Sequence, residues 1–588
     1  MSATLMTAAR ATAPRLVGDS GTFRAELTLE REDGAIREYR LRLTSPAPAA
    51  APKLSIRWTE PSTNVKGVWT SGALYEKRLR ADWEEADVES RLSVNAPVVS
   101  LFGHRDENRL TFAFSDAVNT TRLAAPVREE DNLIYCQIDL FGDRVAPLSE
   151  YTALLRIDRT ATTYDRTLQD VGRWWDDQLR GELPAIPAAA RAAVYSTWYA
   201  YHQEMTPDDL LAECRIARDL GYRTIIVDDG WQTLDNQRGY DYTGDWEAER
   251  FTEMRAFVDA VHELGMQAMI WYSVPFCGPK SRAYQRFRGK FLTENHRWAP
   301  VFDPRYPEVR AHLVGRYASA LRDWKLDGFK LDFIDDFKVY PETPSGKADG
   351  RDFADVNAAV RQLITEIRDA LTAIRPDVLI EFRQQYIGPE LRRLGNMFRA
   401  FDCPHDSATN RLRTTDVRLL AGQSVVHSDM FTWHPEETDE VAALQLNNVL
   451  FSVPQVSVRL REQSAGKLAM LRFWTGYYND NLAQLTGGDF RAYSPLENYP
   501  LLESVGPEKS IFGLFGRAVV GVAAGTRRWE VINGRMETAV LLRLVEDVAG
   551  TVRVFDCRGA LVEELRVDLP AGVHALEVPA SGLLVFVG

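Results

Sequence analysis

Four apolar runs in the middle of the chain end in acidic residues. They close on Asp228-Asp229-Gly230-Trp231, Lys330-Leu331-Asp332-Phe333, Asp402-Cys403-Pro404-His405-Asp406 and His427-Ser428-Asp429. A carboxylate at the end of a buried strand is costly unless it is paired, hydrogen-bonded or kept neutral by a shifted pKa. Any one such aspartate is most simply a cap for the helix that follows. Four such ends, with Lys330 and the nearby aromatics Trp198, Tyr199, Tyr201, Trp231, Trp271, Tyr272, Trp298 and Trp433, describe a site that works with carboxylates.

What the sequence lacks narrows the chemistry. It has no His-x-His pair and no His-Glu-x-x-His helix to hold a metal, and no glycine-rich phosphate loop after a strand. Neither a metal nor another cofactor is expected. Carboxylates bond hydroxyl groups and aromatic faces stack on the apolar face of a pyranose, so a glycoside or oligosaccharide fits what remains. Glycoside hydrolysis needs two carboxyl groups flanking the anomeric carbon. Asp332 suits the nucleophile, because Lys330 two residues earlier shares its strand face, where a cation would keep the carboxylate charged. Asp402 suits the acid/base. Asp406 competes with it as a strand-end carboxylate, or caps a helix starting near Ala408. Neighbours on a strand face opposite ways, so one of Asp228 and Asp229 is expected to bind substrate while the other caps, in either order. His427 shares a face with Asp429 and reads equally well as a satisfied core histidine.

These residues need a frame. Runs from Thr22 to Arg156, such as Phe23-Arg-Ala-Glu-Leu-Thr-Leu and Leu110-Thr-Phe-Ala-Phe, alternate with period two and predict a β-sandwich over 1–164. A linker helix follows at 165–190. From 191 to 493, short apolar runs alternate with amphipathic helical stretches, the pattern of a parallel sheet wrapped in helices. Eight strand candidates begin at Ser196, Thr224, Gln267, Gly328, Val378, Asn396, Ser424 and Val453, which is the count of a (β/α)8 barrel. Such barrels carry their catalytic groups at the C-terminal ends of the strands, where the acids lie. Residues 494–588 return to alternation and predict a small antiparallel β domain. The fold class is thus multidomain α/β with a central TIM barrel.

At 588 residues the chain exceeds a single hydrophobic core. A net charge of -13 argues against nucleic acid or anionic membrane as partners. No apolar segment reads as a signal peptide or a spanning helix, so a cytoplasmic location is expected. Homo-oligomerisation stays open. The five cysteines are scattered and suggest neither disulfides nor zinc.

Three of the acidic segments are similar to motifs of the glycoside hydrolase family 36 α-galactosidases. Val227-Asp-Asp-Gly-Trp-Gln resembles that family's Asp-Asp-Gly-Trp, and Gly328-Phe-Lys-Leu-Asp resembles its Lys-Trp-Asp nucleophile motif. Asp402-Cys-Pro-His-Asp-Ser-Ala-Thr-Asn-Arg-Leu resembles the acid/base segment with two residues inserted. The resemblance implies retaining hydrolysis of terminal α-galactosides, with Asp332 as nucleophile and Asp402 as acid/base. It implies that Asp228 and Asp229 bind sugar hydroxyls while Trp271, Arg297 and Lys330 complete the pocket; Trp231, among the strand-end aromatics, is a further substrate-binding candidate. The chain departs from the family where Trp271-Tyr-Ser-Val-Pro replaces Trp-Phe-Glu-Pro-Glu and Glu381-Phe-Arg-Gln-Gln-Tyr replaces a Cys-Ser-Gly-Gly-Gly loop. Arg383 and Gln385 would therefore narrow the pocket or meet a different substituent. Release of α-N-acetylgalactosamine, another α-glycosidase activity, sugar transfer, and a binding barrel without catalysis are the alternatives.

Overall fold

The computed structural model describes residues 11–588 apart from 86, 145, 179–182, 238 and 384–386. Two antiparallel six-stranded sheets span Arg15 to Asp158 and pack face to face. Their strands show the expected alternation: in Lys53–Pro61, Leu54, Ile56 and Trp58 point into the core between the sheets while their neighbours face outward. The helix Tyr164–Gln178 then leads to a closed barrel of eight parallel strands. We number these β1 (Val194–Ser196), β2 (Thr224–Val227), β3 (Gln267–Ser273), β4 (Gly328–Asp332), β5 (Leu379–Phe382), β6 (Met397–Arg399), β7 (Val425–Phe431) and β8 (Val453–Val456). Pairing of β1 with β8 closes the cylinder.

The outer helices follow the usual end signals. In Pro207–Leu220, Thr206 accepts a hydrogen bond from the Asp209 amide, Pro207 takes the first position, and Gly221 at φ 103° ends the helix in a conformation that glycine adopts without strain. At Gly328 a side chain is excluded: a Cβ would lie 2.1 Å from the Leu379 carbonyl oxygen, so glycine lets β4 and β5 approach.

Inside the barrel, period-two alternation stacks residues in layers. The lowest layer is apolar, with Val194, Ile226, Met269, Leu379, Met397, Val425 and Val453 in one cluster. The layer above holds Trp271, Lys330, Glu381, Arg399, His427 and Gln455, with Asp228 just past the end of β2, all buried. The third layer opens at the mouth and holds Asp332 and Arg383. Polar groups thus begin one layer below the surface, where each must be satisfied by its neighbours.

Three sequence expectations are corrected. The first strand ends at Ser196, and Trp198–Tyr201 forms a short helix, so Trp198, Tyr199 and Tyr201 stand above the barrel rather than within its wall. The sixth strand ends at Arg399, leaving Asp402 on the loop that follows. The terminal β region begins at Asp489 rather than 494, because Asp489–Tyr493 pairs with Leu501–Val505. Its two sheets are mostly antiparallel but contain the parallel pairs Ser510–Leu514 with Arg528–Asn533 and Val520–Val522 with Ala539–Leu544.

The three parts meet at one buried node. Asp416, on the helix after β6, accepts hydrogen bonds from Lys77 Nζ at 2.9 Å and Trp69 Nε1 at 2.8 Å, both from the sandwich, and from the hydroxyl of Tyr499. Among the described residues no helix is long and apolar enough to cross a membrane. All five cysteines are buried free thiols.

Candidate active site

A cavity of about 220 Å³ opens at the C-terminal mouth of the barrel. It is lined by Trp198, Asp228, Asp229, Tyr240, Trp271, Arg297, Trp298, Lys330, Asp332, Phe333, Arg383, Phe401 and Asp402. Drug-sized ligands occupy roughly 300 to 1,000 Å³, so this volume suits one sugar ring.

Asp332 is fixed from three directions. Its Oδ2 accepts from Trp271 Nε1 at 2.8 Å, and its Oδ1 accepts from the Phe333 amide at 2.7 Å and from Arg383 Nε. The sequence reading gave Lys330 as the cation beside this carboxylate. Lys330 Nζ instead donates to Asp228 Oδ2 at 2.6 Å, and Arg383 supplies the charge at Asp332. Alternation put Lys330 and Asp332 on one face correctly, but the shorter reach was across the barrel to β2.

Asp402 stands opposite. Its Oδ1 accepts from Arg399 Nη2 at 2.6 Å and its Oδ2 from Arg383 Nη1 at 3.0 Å. One guanidinium therefore bridges both carboxylates. Their environments differ: the Asp402 side chain is 32% exposed and that of Asp332 only 5%. Burial alone would raise the pKa of Asp402, but Arg383, Arg399 and Lys330 outweigh it and hold this carboxyl well below the usual range.

Both members of the Asp228-Asp229 pair line the cavity, because β2 stops at Val227 and strand alternation no longer applies to them. The Asp229 amide donates to Asp228 Oδ1, and the Asp229 carboxylate accepts from Gln232 Nε2 at 2.6 Å and Gln203 Nε2 at 2.8 Å. Burial, helped by the charge of Asp228, pushes the Asp229 carboxyl up to about 7 against the two amide donors. A folded carboxyl that keeps its proton to about pH 7, against 3.8 when unperturbed, adds stability below the lower value and loses it as pH rises toward the upper one. Asp229→Asn is accordingly expected to remove roughly 2 kcal/mol of the stability lost between about pH 5 and pH 7. The check is the difference in thermal midpoint between those two pH values, which shrinks in the variant relative to the wild type.

The remaining residues named from sequence divide. Trp271, Lys330 and Arg383 line the pocket, and Arg297 sits at the rim with its guanidinium 5.0 Å from the ring centre of Trp298. Trp231 does not touch the cavity. It is fully buried among Trp246, Tyr272 and Trp324 and donates from Nε1 to the Trp271 carbonyl, so it braces Trp271 from behind. Asp406 is also outside the pocket: it caps the helix Ser407–Leu420 by accepting from the Thr409 amide. Gln385 falls outside the described residues. His427 is buried with its pKa lowered to about 3 by desolvation, and it bonds the Ala190 carbonyl. It belongs to the polar layer below the site.

Sequence reasoning passed over two groups. Arg399 joins Asp402, Asp429 and Glu381 within the barrel. The signal was a lone arginine in the apolar run Met397-Phe-Arg, two residues above an inward methionine. Tyr240 stacks near Trp271, with ring centres 5.8 Å apart, and walls the cavity. It comes from a loop with no period to read.

No family model matches the chain. One curated protein, the A type blood α-D-galactosamine galactosaminidase of Flavonifractor plautii, is 25% identical over an alignment of 182 residues that covers 27% of this chain and 16% of that protein. The chain therefore spans only a small part of that relative's length. Solved structures match far more completely. The GH36 α-galactosidase AgaA of Geobacillus stearothermophilus superimposes with a TM-score of 0.66 at 13% identity, covering 98% of this chain and 87% of the other. The α-galactosidase of Lactobacillus brevis gives 0.63 at 13% identity, covering 98% and 85%. With a β-sandwich, a closed eight-stranded barrel and a terminal β region in the same order over nearly the whole chain, this protein has the fold of the GH36 α-galactosidases.

Proposed function

We propose that the protein is a retaining α-glycosidase acting on terminal α-galactosides. The observation that carries this is the pair Asp332 and Asp402, both lining a sugar-sized cavity in a GH36-type barrel and bridged by Arg383, one enclosed and one open to solvent. In this reading Asp332 attacks the anomeric carbon while Asp402 protonates the departing oxygen. Asp402 then takes the proton from the water that releases the sugar from Asp332. The enclosed carboxylate makes the covalent bond, and the exposed one stands where a leaving group and water pass. Asp228, Asp229 and Lys330 bond ring hydroxyls at the closed end, Trp271 and Tyr240 offer apolar faces, and Arg297 with Trp298 meets the aglycone at the rim.

The similarity to a galactosaminidase supports a second reading, in which the sugar carries nitrogen at C2. A panel of p-nitrophenyl α-glycosides separates the two. Release from the galactoside at least about 100-fold faster than from the N-acetylgalactosaminide, galactosaminide or glucoside is expected. Preference for either amino sugar would favour the second reading, and release from none would favour a binding barrel without catalysis.

A further inference from the structure

The glycosidase reading requires a sugar's anomeric carbon to meet Asp332 and its glycosidic oxygen to meet Asp402. Arg383 bridges those two carboxylates, with Nε on Asp332 and Nη1 on Asp402. A glycosidic oxygen bonded to Asp402 Oδ2 takes the place that Arg383 Nη1 holds there. The two arms of the clamp are not held alike. On the Asp332 side, Nε bonds Oδ1 and the guanidinium lies 4.3 Å from the ring centre of Phe333, a stacked cation contact that adds to the ion pair. On the Asp402 side, Nη1 donates to Oδ2 at 3.0 Å, and that carboxylate is 32% exposed.

We propose that Arg383 is a substrate-displaced clamp: sugar entry breaks its arm to Asp402 while its arm to Asp332 holds, and this release makes Asp402 competent as the acid. The proposal rests on the glycosidase reading and assigns Arg383 a positioning role that acts through Asp402. The charged and titratable groups around Asp402 are Lys330 and Asp332 from β4, Arg383 following β5, Arg399 from β6, Arg413 from the helix Ser407–Leu420, whose Nη1 donates to the Asp402 carbonyl at 2.7 Å, Asp429 from β7 and Tyr199 from the short helix after β1. When Nη1 leaves, Arg399 remains on Oδ1 at 2.6 Å, and Oδ2 is freed toward the glycosidic oxygen. Asp402 then takes one proton from solvent, passes it to the leaving oxygen, recovers one from the attacking water and returns that proton to solvent as the sugar leaves, so that the carboxylate is charged again and the clamp can close. Holding the acid unprotonated until a sugar arrives links protonation to occupancy.

The consequence is visible in pH profiles on an alkyl α-galactoside, whose leaving group needs a proton. The basic limb of kcat/KM reports Asp402 in the free enzyme, and that of kcat reports it in the complex. Loss of one nearby cation raises a carboxyl pKa, so the kcat limb is expected about 1 to 2 pH units above the kcat/KM limb in the wild type. In Arg383→Met the clamp is absent from both states, and the kcat/KM limb moves up to meet the kcat limb. Arg383→Lys keeps a charge but has no planar fork to span two carboxylates, and is expected to close the gap in part, which covers a failure of the methionine variant to fold. Coincident limbs in the wild type, or a gap unchanged in the folded variants, would overturn the clamp while leaving the glycosidase reading intact. A wild type inactive on every glycoside would overturn that reading, and the clamp with it.

Discussion

Asp332→Gly is expected to lose turnover of p-nitrophenyl α-galactoside by on the order of 10⁴-fold or more, because the variant has no group to form the covalent intermediate. The loss should appear in kcat and kcat/KM together, since the missing interaction exists only along the reaction path. Loss of fold does not explain such an effect. Removing this side chain leaves Arg383 bonded to Asp402 and stacked on Phe333, so a far-ultraviolet spectrum and thermal midpoint near those of the wild type are expected alongside inactivity. Near-normal activity would show that another residue attacks.

Asp402→Ala should behave differently with different leaving groups. An alkyl alcohol cannot depart without a proton, so cleavage of alkyl α-galactosides is expected to fall by about 10³- to 10⁴-fold. A p-nitrophenolate departs with little help, and its release should fall much less in the first chemical step. A plot of rate against leaving-group acidity therefore steepens in the variant. Equal losses for good and poor leaving groups would remove Asp402 from the acid role. They would direct attention to another group at the mouth, though not to Asp406, whose carboxylate is committed to the Thr409 amide.

Much of this architecture was legible because barrels repeat a simple pattern. Apolar runs bounded by capped helices located seven of the eight strands, and strand ends located Asp228, Asp229 and Asp332. The first strand was misplaced because Thr197 to Tyr201 are good strand formers by type, yet Tyr201 is drawn into a helical turn where its hydroxyl reaches Glu213 at 2.8 Å. Strand alternation told which side chains share the barrel interior but not which neighbour each would choose. Lys330 faces the same space as Asp332 and bonds Asp228, a partner 102 residues away in sequence. Trp231 was misread for a related reason, since its position after two acids in the turn does not say which way the ring points. The ring turns outward into an aromatic cluster rather than toward the cavity. Arg383 was visible as a departure from a glycine-containing loop. Its span of two carboxylates depends on the gap between β4 and the loop after β6, which only the closed barrel defines. Arg399 could have been found by counting two residues up from each inward apolar position.

Azide rescue of Asp332→Gly tests the central claim most directly, because the small anion enters the space that the missing carboxylate leaves. With p-nitrophenyl α-galactoside and sodium azide, nitrophenol release should recover, and proton NMR of the product should show the β-galactosyl azide, formed by attack on the face opposite the leaving group. An α-galactosyl azide, or no rescue from a folded variant that retains substantial activity, would contradict Asp332 as the residue that attacks the sugar.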